Sequence, residues 1–523
     1  MSCESVGRII LVTALMFFAS ASAAPLGRTD ILFLNRITYG VNASTARQYQ
    51  SMGRENFLQS QMVYRADEGL PVEVKNRIAD MDVSKLGVEE LIAERHASEQ
   101  QINASLDPDV KNKLQQAMNL RAQVISFQSS ERSVLRSLYS KNQLQELLTW
   151  FWFNHFNVFK DKEYNSILMP DYEERAIRPH VLGKFRELLL ATLTHPAMLT
   201  YLDNEYNGAG SINENYAREI MELHTMGVDG GYTQGDVESL ARILTGVGTD
   251  MSGKECLDGK HWLPNVAPSD IFFCFDPKRH DKNSKVFLGQ NFPAGGGPEE
   301  VVKAVNILVG QKATAHYISR ELAVYFLDDN PPQQVVDEMA KTFSKTDGDI
   351  AMVLAVLFES KEFNNNKYAG QKFKDPTQYV LSSMRLLYDD RLIKDIRLPV
   401  KWMNQMSEPM YAHLSPDGYG MRRKDWLNAD QMAKRFEIAR AIVFNSGALY
   451  TSEMVAKSLE GVDQKKLQAL NNVAKVDNPI DTFGIYELML PVLSDNTSSV
   501  LRKKISIDEC NILLLYSPEF MYR

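Results

Sequence analysis

The chain has 523 residues, 44% hydrophobic and 24% charged, with a formal net charge of −8. Its length suits one large or two medium domains, and its composition supports a substantial core. The acidic balance argues against a nucleic-acid binder, which needs a basic face.

Arg8 precedes an apolar run from Ile9 to Phe18, followed by Ala19-Ser20-Ala21-Ser22-Ala23-Ala24-Pro25. A positive start, a short apolar core and small residues at A-x-A spacing predict a signal peptide over residues 1–23, with cleavage near Ala23. The expected location is therefore periplasmic or secreted. No later stretch is apolar and long enough to span a bilayer, so no integral membrane segment is expected in the mature chain. In an oxidising compartment Cys256 and Cys274 would clip one loop, while Cys510 sits in an apolar run as a buried thiol.

Residues 24–523 read as a single large all-α domain. Ile31 to Gly40 predicts a helix, and Ser44 to Met62 a second. From Gly87 to about Asp161 the pattern is helical, broken near Asp107-Pro108, with polar arms at Ser98–Gln101 and Lys111–Gln116. That region ends in Trp150-Phe151-Trp152-Phe153-Asn154-His155-Phe156-Asn157-Val158-Phe159, six aromatics in ten residues. Such a run is a large buried payload, and Asn154 and His155 within it need hydrogen-bond partners. Pro170–His180 and Val181–Leu193 predict two more helices, ended by His195-Pro196.

Tyr201 to Gly246 predicts a helix–tight turn–helix hairpin. Asn213 caps a helix from about Glu214 to Met226, with Tyr216, Ile220 and Leu223 on one face and Gly227 as its stop. Thr233 and Asp236 form a capping box for the second helix, which Gly246 ends. Residues 249–298 break the helical period and predict an irregular or β insertion, with Phe272–Phe275 and Lys285–Leu288 as strands of a hairpin. Helices resume at Glu299–Leu308, Ala313–Leu327, Gln333–Phe343, Ile350–Phe358 and Pro376–Tyr388. Ser407–Asn428 is a long loop, and the remainder is helical. Ser360-Lys361-Glu362-Phe363 and Ser517-Pro518-Glu519-Phe520 each close an apolar helix, an echo between two C-terminal stretches.

Three constellations could carry chemistry. Asp203, Glu219 and Glu222 offer paired carboxylates for general acid–base work, provided their environments separate their pKa values; a solvated helix face paired with Arg218 and Arg242 explains them equally well. His155 and His224 with Glu219, Glu222, His280 and Asp281 could hold a divalent metal such as zinc, manganese or non-haem iron. Glu222 and His224, two apart on a helix, point away from each other, and no H-x-x-x-H pair occurs. His280-Asp281 with Lys285 could serve acid–base chemistry, grip an anion, or brace a loop through salt bridges. Trp152, Asn154, Asn213, Asn215, Arg218 and Lys285 complete the candidate binding residues. G-x-S-x-G, Walker A and dinucleotide motifs are absent.

Several ordered blocks carry a family resemblance: Asn35-Arg36-Ile37-Thr38-Tyr39-Gly40, Trp152-Phe153-Asn154-His155-Phe156, Leu182 to Leu189, Tyr201-Leu202-Asp203-Asn204, Asn213 to Glu219, Glu222-Leu223-His224-Thr225, Gly231-Tyr232-Thr233-Gln234, and the closing Ser517-Pro518-Glu519-Phe520. In them the chain resembles, over essentially its whole mature length, the bacterial family catalogued as domain of unknown function 1800. The resemblance implies an exported, mostly helical protein whose gene often lies beside that of an exported sulfatase- or phosphatase-like protein. It implies no settled activity. Gly246-Val247 and Gly418-Tyr419 stand where the family pattern has Gly-Trp, so any groove lined by those tryptophans is altered here. The expectation is an exported hydrolase acting on an envelope or extracellular polymer, polysaccharide first, with Glu219 or Glu222 as acid or base and His155 and His280 orienting. The alternative is a non-catalytic scaffold or accessory subunit for the co-encoded enzyme.

Overall fold

The computed structural model describes residues 25–251, 272–365, 367–444, 446–450, 480–503 and 505–523. The expected signal peptide and Cys256 lie outside them. Cys274 is disulfide-bonded, and Cys510 is free and half-buried. Of the described residues 63% are helical, and the described strands form two two-stranded sheets, so the architecture is all-α with small sheet insertions. No described helix is long and apolar enough to cross a membrane.

The aromatic run forms helix Gln143–His155 at the centre of the molecule, with Trp150, Phe151, Trp152 and Phe153 all buried. Before it, helices Val88–Ala104 and Pro108–Tyr139 pack together. Asp107 caps the second of these, and Leu106 in the connection is 98% exposed. After the insertion, Lys312–Phe326, Gln333–Lys345 and Ile350–Glu359 stack in chain order. Pro376–Tyr388 forms as expected and is buried along its whole length. The two echoed turns are alike in structure. Ser360 Oγ accepts from Phe363 N at 3.1 Å, and Ser517 Oγ accepts from Phe520 N at 3.2 Å. In each, a cation lies over the phenylalanine ring: Arg36 over Phe363 and Lys374 over Phe520.

Tertiary structure corrects five local expectations. The helix expected over Ser44–Met62 is two, Ala43–Met52 and Arg54–Gln61, because Gly53 between them takes φ +76°. The segment after Pro170 is not a plain helix. Asn165–Asp171 runs through Pro170 into a π-helical turn, Tyr172–Ile177, then a 3₁₀ turn, Arg178–His180, and the next helix starts only at Phe185. Proline supplies no N–H to the ladder, and a local change of hydrogen-bond step accommodates the loss. The hairpin's first helix is α only over Asn215–Glu219 and becomes π over Ile220–Thr225. Strands Phe273–Phe275 and Lys285–Phe287 do not pair with each other; their antiparallel partners are Val247–Thr249 and Gln290–Phe292. Leu288 and Gly289, at φ +47° and +75°, make the tight turn that favours the local partner. Lastly, the loop after Ser407 contains one helical turn, Arg423–Trp426.

A buried ionic network holds the aromatic helix to its neighbours. Arg178 reaches Glu146 at 3.0 Å, Glu174 at 3.3 Å, Glu68 at 3.4 Å and Glu173 at 3.6 Å. Arg136 pairs with Glu68 at 3.0 Å and hydrogen-bonds Glu174, which Arg132 approaches at 3.6 Å. Four carboxylates thus face three guanidiniums. Burial pushes Glu146 up to about 7, whereas three arginines outweigh burial at Glu174 and hold it far below the usual carboxylate range. Removing the central cation strands several buried charges. Arg178→Ala is therefore expected to destabilise the protein by about 3–5 kcal/mol, read as a lower urea midpoint with an unchanged slope.

Candidate functional site

The approach to the hairpin is built from asparagines that bind backbone. Asn207 Oδ1 accepts from Asn213 N at 2.9 Å, and Asn213 Nδ2 donates to Asp203 O at 3.2 Å. Asn213 Oδ1 accepts from Asn215 N at 3.0 Å and Asn215 Nδ2 donates to Leu202 O at 3.2 Å; the helix begins at Asn215, with Glu214 rather than the expected Asn213 at its N-cap position. Asp203 takes φ +58° and pairs with Lys162 at 2.8 Å. The turn therefore occupies both polar groups of Asn213 and the amide nitrogen of Asn215, just ahead of the helix start.

On that helix Arg218 pairs with Glu214 at 3.0 Å and Glu222 at 3.6 Å, and donates to Gln234 of the second helix at 3.0 Å. Burial and the charge of Glu222 push the Tyr232 hydroxyl up to about 12. Glu219 differs: it is half-buried and has no hydrogen bond or ion pair among the described residues. Burial, reinforced by the charges of Glu222 and Asp417 and opposed by Arg218, raises its pKa above the usual carboxylate range. Two carboxylates one helical turn apart thus sit in unlike surroundings, one ion-paired and one free and desolvated.

A loop, residues 409–420, covers this patch. Asn154 grips it from both sides, donating to Tyr419 O at 2.9 Å and accepting from Tyr419 N at 2.7 Å. Asn157 Nδ2 donates to His413 O at 3.1 Å and Ser415 O at 2.8 Å, and Tyr201 Oη donates to Leu414 O at 2.7 Å. Gly418, at φ +70°, lets the loop approach so closely that a Cβ there would lie 2.3 Å from Asn154 O. The loop carries Asp417, hydrogen-bonded by Ser415 at 2.6 Å, whose negative charge adds to the upward pKa shifts of Tyr201, Glu219 and Tyr317. Tyr317 itself packs on Gly227, whose φ of +79° and lack of Cβ permit the contact.

Behind Glu219, His155 Nε2 is 3.1 Å from His224 O, and the two rings lie 6.2 Å apart. Burial lowers His155 to about 4 and His224 well below the usual range. Among the described residues no group of three or more His, Cys, Asp or Glu side chains is placed to hold a metal ion, so the expected metal constellation does not assemble there. His280, Asp281 and Lys285 form a separate set. His280 Nδ1 bonds Thr245 O at 2.8 Å, while Nε2 lies 3.3 Å from Glu300. Lys285 meets Glu300 at 2.6 Å, and Asp281 meets Arg242 at 2.6 Å. All three are buried. They brace the insertion against the hairpin's second helix, and their contacts run to Arg242, Thr245 and Glu300 rather than to Glu219 or Glu222. Trp152 is fully buried and donates to Val181 O at 3.2 Å, so its indole offers no face to a ligand. Val247 is buried in a strand against Phe275, and Tyr419 is half-buried beside Trp426; neither position lines an open aromatic groove.

The structure therefore brings Arg218, Glu219 and Glu222 together with Tyr201, Tyr317 and Asp417, which no local pattern singled out. Gly418 next to Asp417 was the available signal, marking a close backbone approach inside a long loop.

The two depressed histidines set the sign of an acid response. Their protons bind the unfolded chain more readily than the folded one, so stability rises with pH between about 4 and 6.5 for His155. Acidification through that window is expected to lower the melting temperature, at up to ~1.4 kcal/mol per pH unit for each histidine. His155→Gln and His224→Gln should each flatten the slope seen in melts from pH 7 to pH 4.5.

Comparison with curated proteins and with solved structures finds no match. A family model does match, spanning residues 32–522 and therefore the aromatic helix, the hairpin, the covering loop and the closing turn. The chain belongs to the family described as Protein of unknown function (DUF1800).

Proposed function

We propose that this protein is a hydrolase that cleaves an extracellular or envelope polymer, polysaccharide first, at the patch formed by Glu219, Glu222, Tyr201, Tyr317 and Asp417. The observation that carries the reading is Glu219: an unpaired, desolvated carboxyl one turn from a carboxylate held by Arg218. Glu219 keeps its proton to higher pH and serves as general acid toward a leaving oxygen. Glu222, ion-paired with Arg218, is the base that activates water. The tyrosines suit sugar rings, which combine apolar faces with hydroxyl edges. Asp203, paired with Lys162, shapes the turn that sets the helix, and the buried His155 supports that helix from behind through His224 O.

The test is release of reducing ends from a panel of purified polysaccharides by the full chain. Glu219→Gln and Glu222→Gln are each expected to reduce release by ~100-fold or more, with melting temperature preserved. Absence of release from every polymer would overturn the reading and favour the non-catalytic scaffold; full activity in both variants would overturn the assignment of the chemistry to these two carboxylates.

The same proposal places the protein outside the cytoplasm, on the strength of the charged, apolar and small-residue order of residues 1–24. N-terminal sequencing of protein recovered from its native host is expected to begin near Ala24; a mature chain that begins at Met1 would contradict export.

A further inference from the structure

A cavity of about 560 Å³ lies where helices Val88–Ala104, Pro108–Tyr139 and Arg397–Gln405 meet residues 160–166 and the start of the covering loop. None of the candidate residues above lines it. Its volume falls in the range of small-ligand pockets.

Its lining has unspent hydrogen-bonding capacity. Gln123, Ser126, Ser166, Asn404 and Lys160 line it, and none of these side chains has a hydrogen-bond or ion-pair partner among the described residues. Ser126 is the clearest case. It is buried at 7% exposure in the middle of a long helix, where serine usually bonds back to the preceding turn, as Ser129 and Ser130 do here. The Ser126 hydroxyl does not. Phe127 and Met410 add an apolar floor. At the rim, Glu163 takes φ +49°, a strained conformation for a residue with a side chain.

Charge selects the ligand class. Arg95 and Lys160 are matched by Asp161 and Glu163, so the lining carries no net charge, and Arg95 is already held by Glu99 at 2.7 Å. A site with amides, hydroxyls, an apolar floor and no net field favours an uncharged, hydroxyl-rich ligand over an anion. The site also connects with the carboxylate patch. Lys160 N donates to Tyr411 O at 3.0 Å, tying the cavity wall to the loop whose later residues cover Glu219.

We infer that this cavity is a second saccharide subsite, which holds an uncharged stretch of a glycan chain at a distance from the scissile bond. It extends the proposed polysaccharide reading and rests on it for the identity of the polymer, but not for the existence of the site.

The full chain carrying Glu219→Gln, which leaves a probe uncut, is titrated by calorimetry with neutral tetrasaccharides of glucose and of N-acetylglucosamine, and with tetragalacturonate. Saturable binding of a neutral tetrasaccharide is expected, with the acidic one at least ~10-fold weaker because its carboxylates find no net positive field. Adding Asn404→Trp or Gln123→Trp, both at exposed positions, should weaken neutral binding by ~10-fold or more without lowering the melting temperature. The inference fails if no neutral tetrasaccharide binds, if tetragalacturonate binds more tightly, or if neither tryptophan affects affinity. Because binding is read in a protein disabled at Glu219, a negative result here leaves the reducing-end assay to judge the carboxylate patch separately.

Discussion

The fold depends on charge buried beside aromatic mass. Arg178, Arg136 and Arg132 sit against Glu68, Glu146, Glu173 and Glu174 directly under the Trp150–Phe153 run. The pairs tie together the long helix Pro108–Tyr139, the aromatic helix, the π turn at Tyr172 and the segment around Glu68. Buried ion pairs contribute little net stability compared with apolar packing, but they tolerate few alternative arrangements. Hydrophobic burial drives the helices together, and the network restricts how they can be aligned.

That restriction extends to the candidate site. The aromatic helix ends in Asn154, His155 and, just beyond, Asn157, each with a partner from elsewhere in the chain. Asn154 and Asn157 hold the covering loop, while His155 meets the carbonyl of His224. The carbonyl belongs to the second π turn, where Thr225 Oγ1 donates to Ile220 O five residues back at 2.6 Å. Across the start of this turn Glu222 pairs with Arg218 at 3.6 Å while Glu219 stays unpaired among the described residues. π turns are costly and recur where side-chain placement outweighs regularity. Here one lies within the patch and the other within the network beneath it.

Much of the local structure was legible from residue types alone. The capping box at Thr233–Asp236, the stops at Gly227 and Gly246 and the span Pro376–Tyr388 follow from short-range rules. The His280–Asp281–Lys285 group was recognisable as a cluster, but its neighbours Glu300 and Arg242 decide that it braces a loop. The strand Lys285–Phe287 pairs with Gln290–Phe292 rather than Phe273–Phe275 because a two-residue turn at Leu288-Gly289 outcompetes a distant strand. The covering loop was visible as a loop; that the charge of Asp417 acts on Glu219 was not, because the two lie nearly two hundred positions apart and the loop is held by three side chains elsewhere.

By itself the sequence determined an acidic, helix-rich chain, its caps and stops, its aromatic core helix and its membership of a helical family, since each depends on neighbours within a few residues or on composition. Tertiary structure alone decided which carboxylate is paired, which histidines are dehydrated, which tryptophan is closed to ligands and where a polar cavity opens. Those properties are set by burial and by partners distant in sequence. The electrostatic character of Glu219 arises from what surrounds it, and the same residue on a free helix would be an ordinary surface acid.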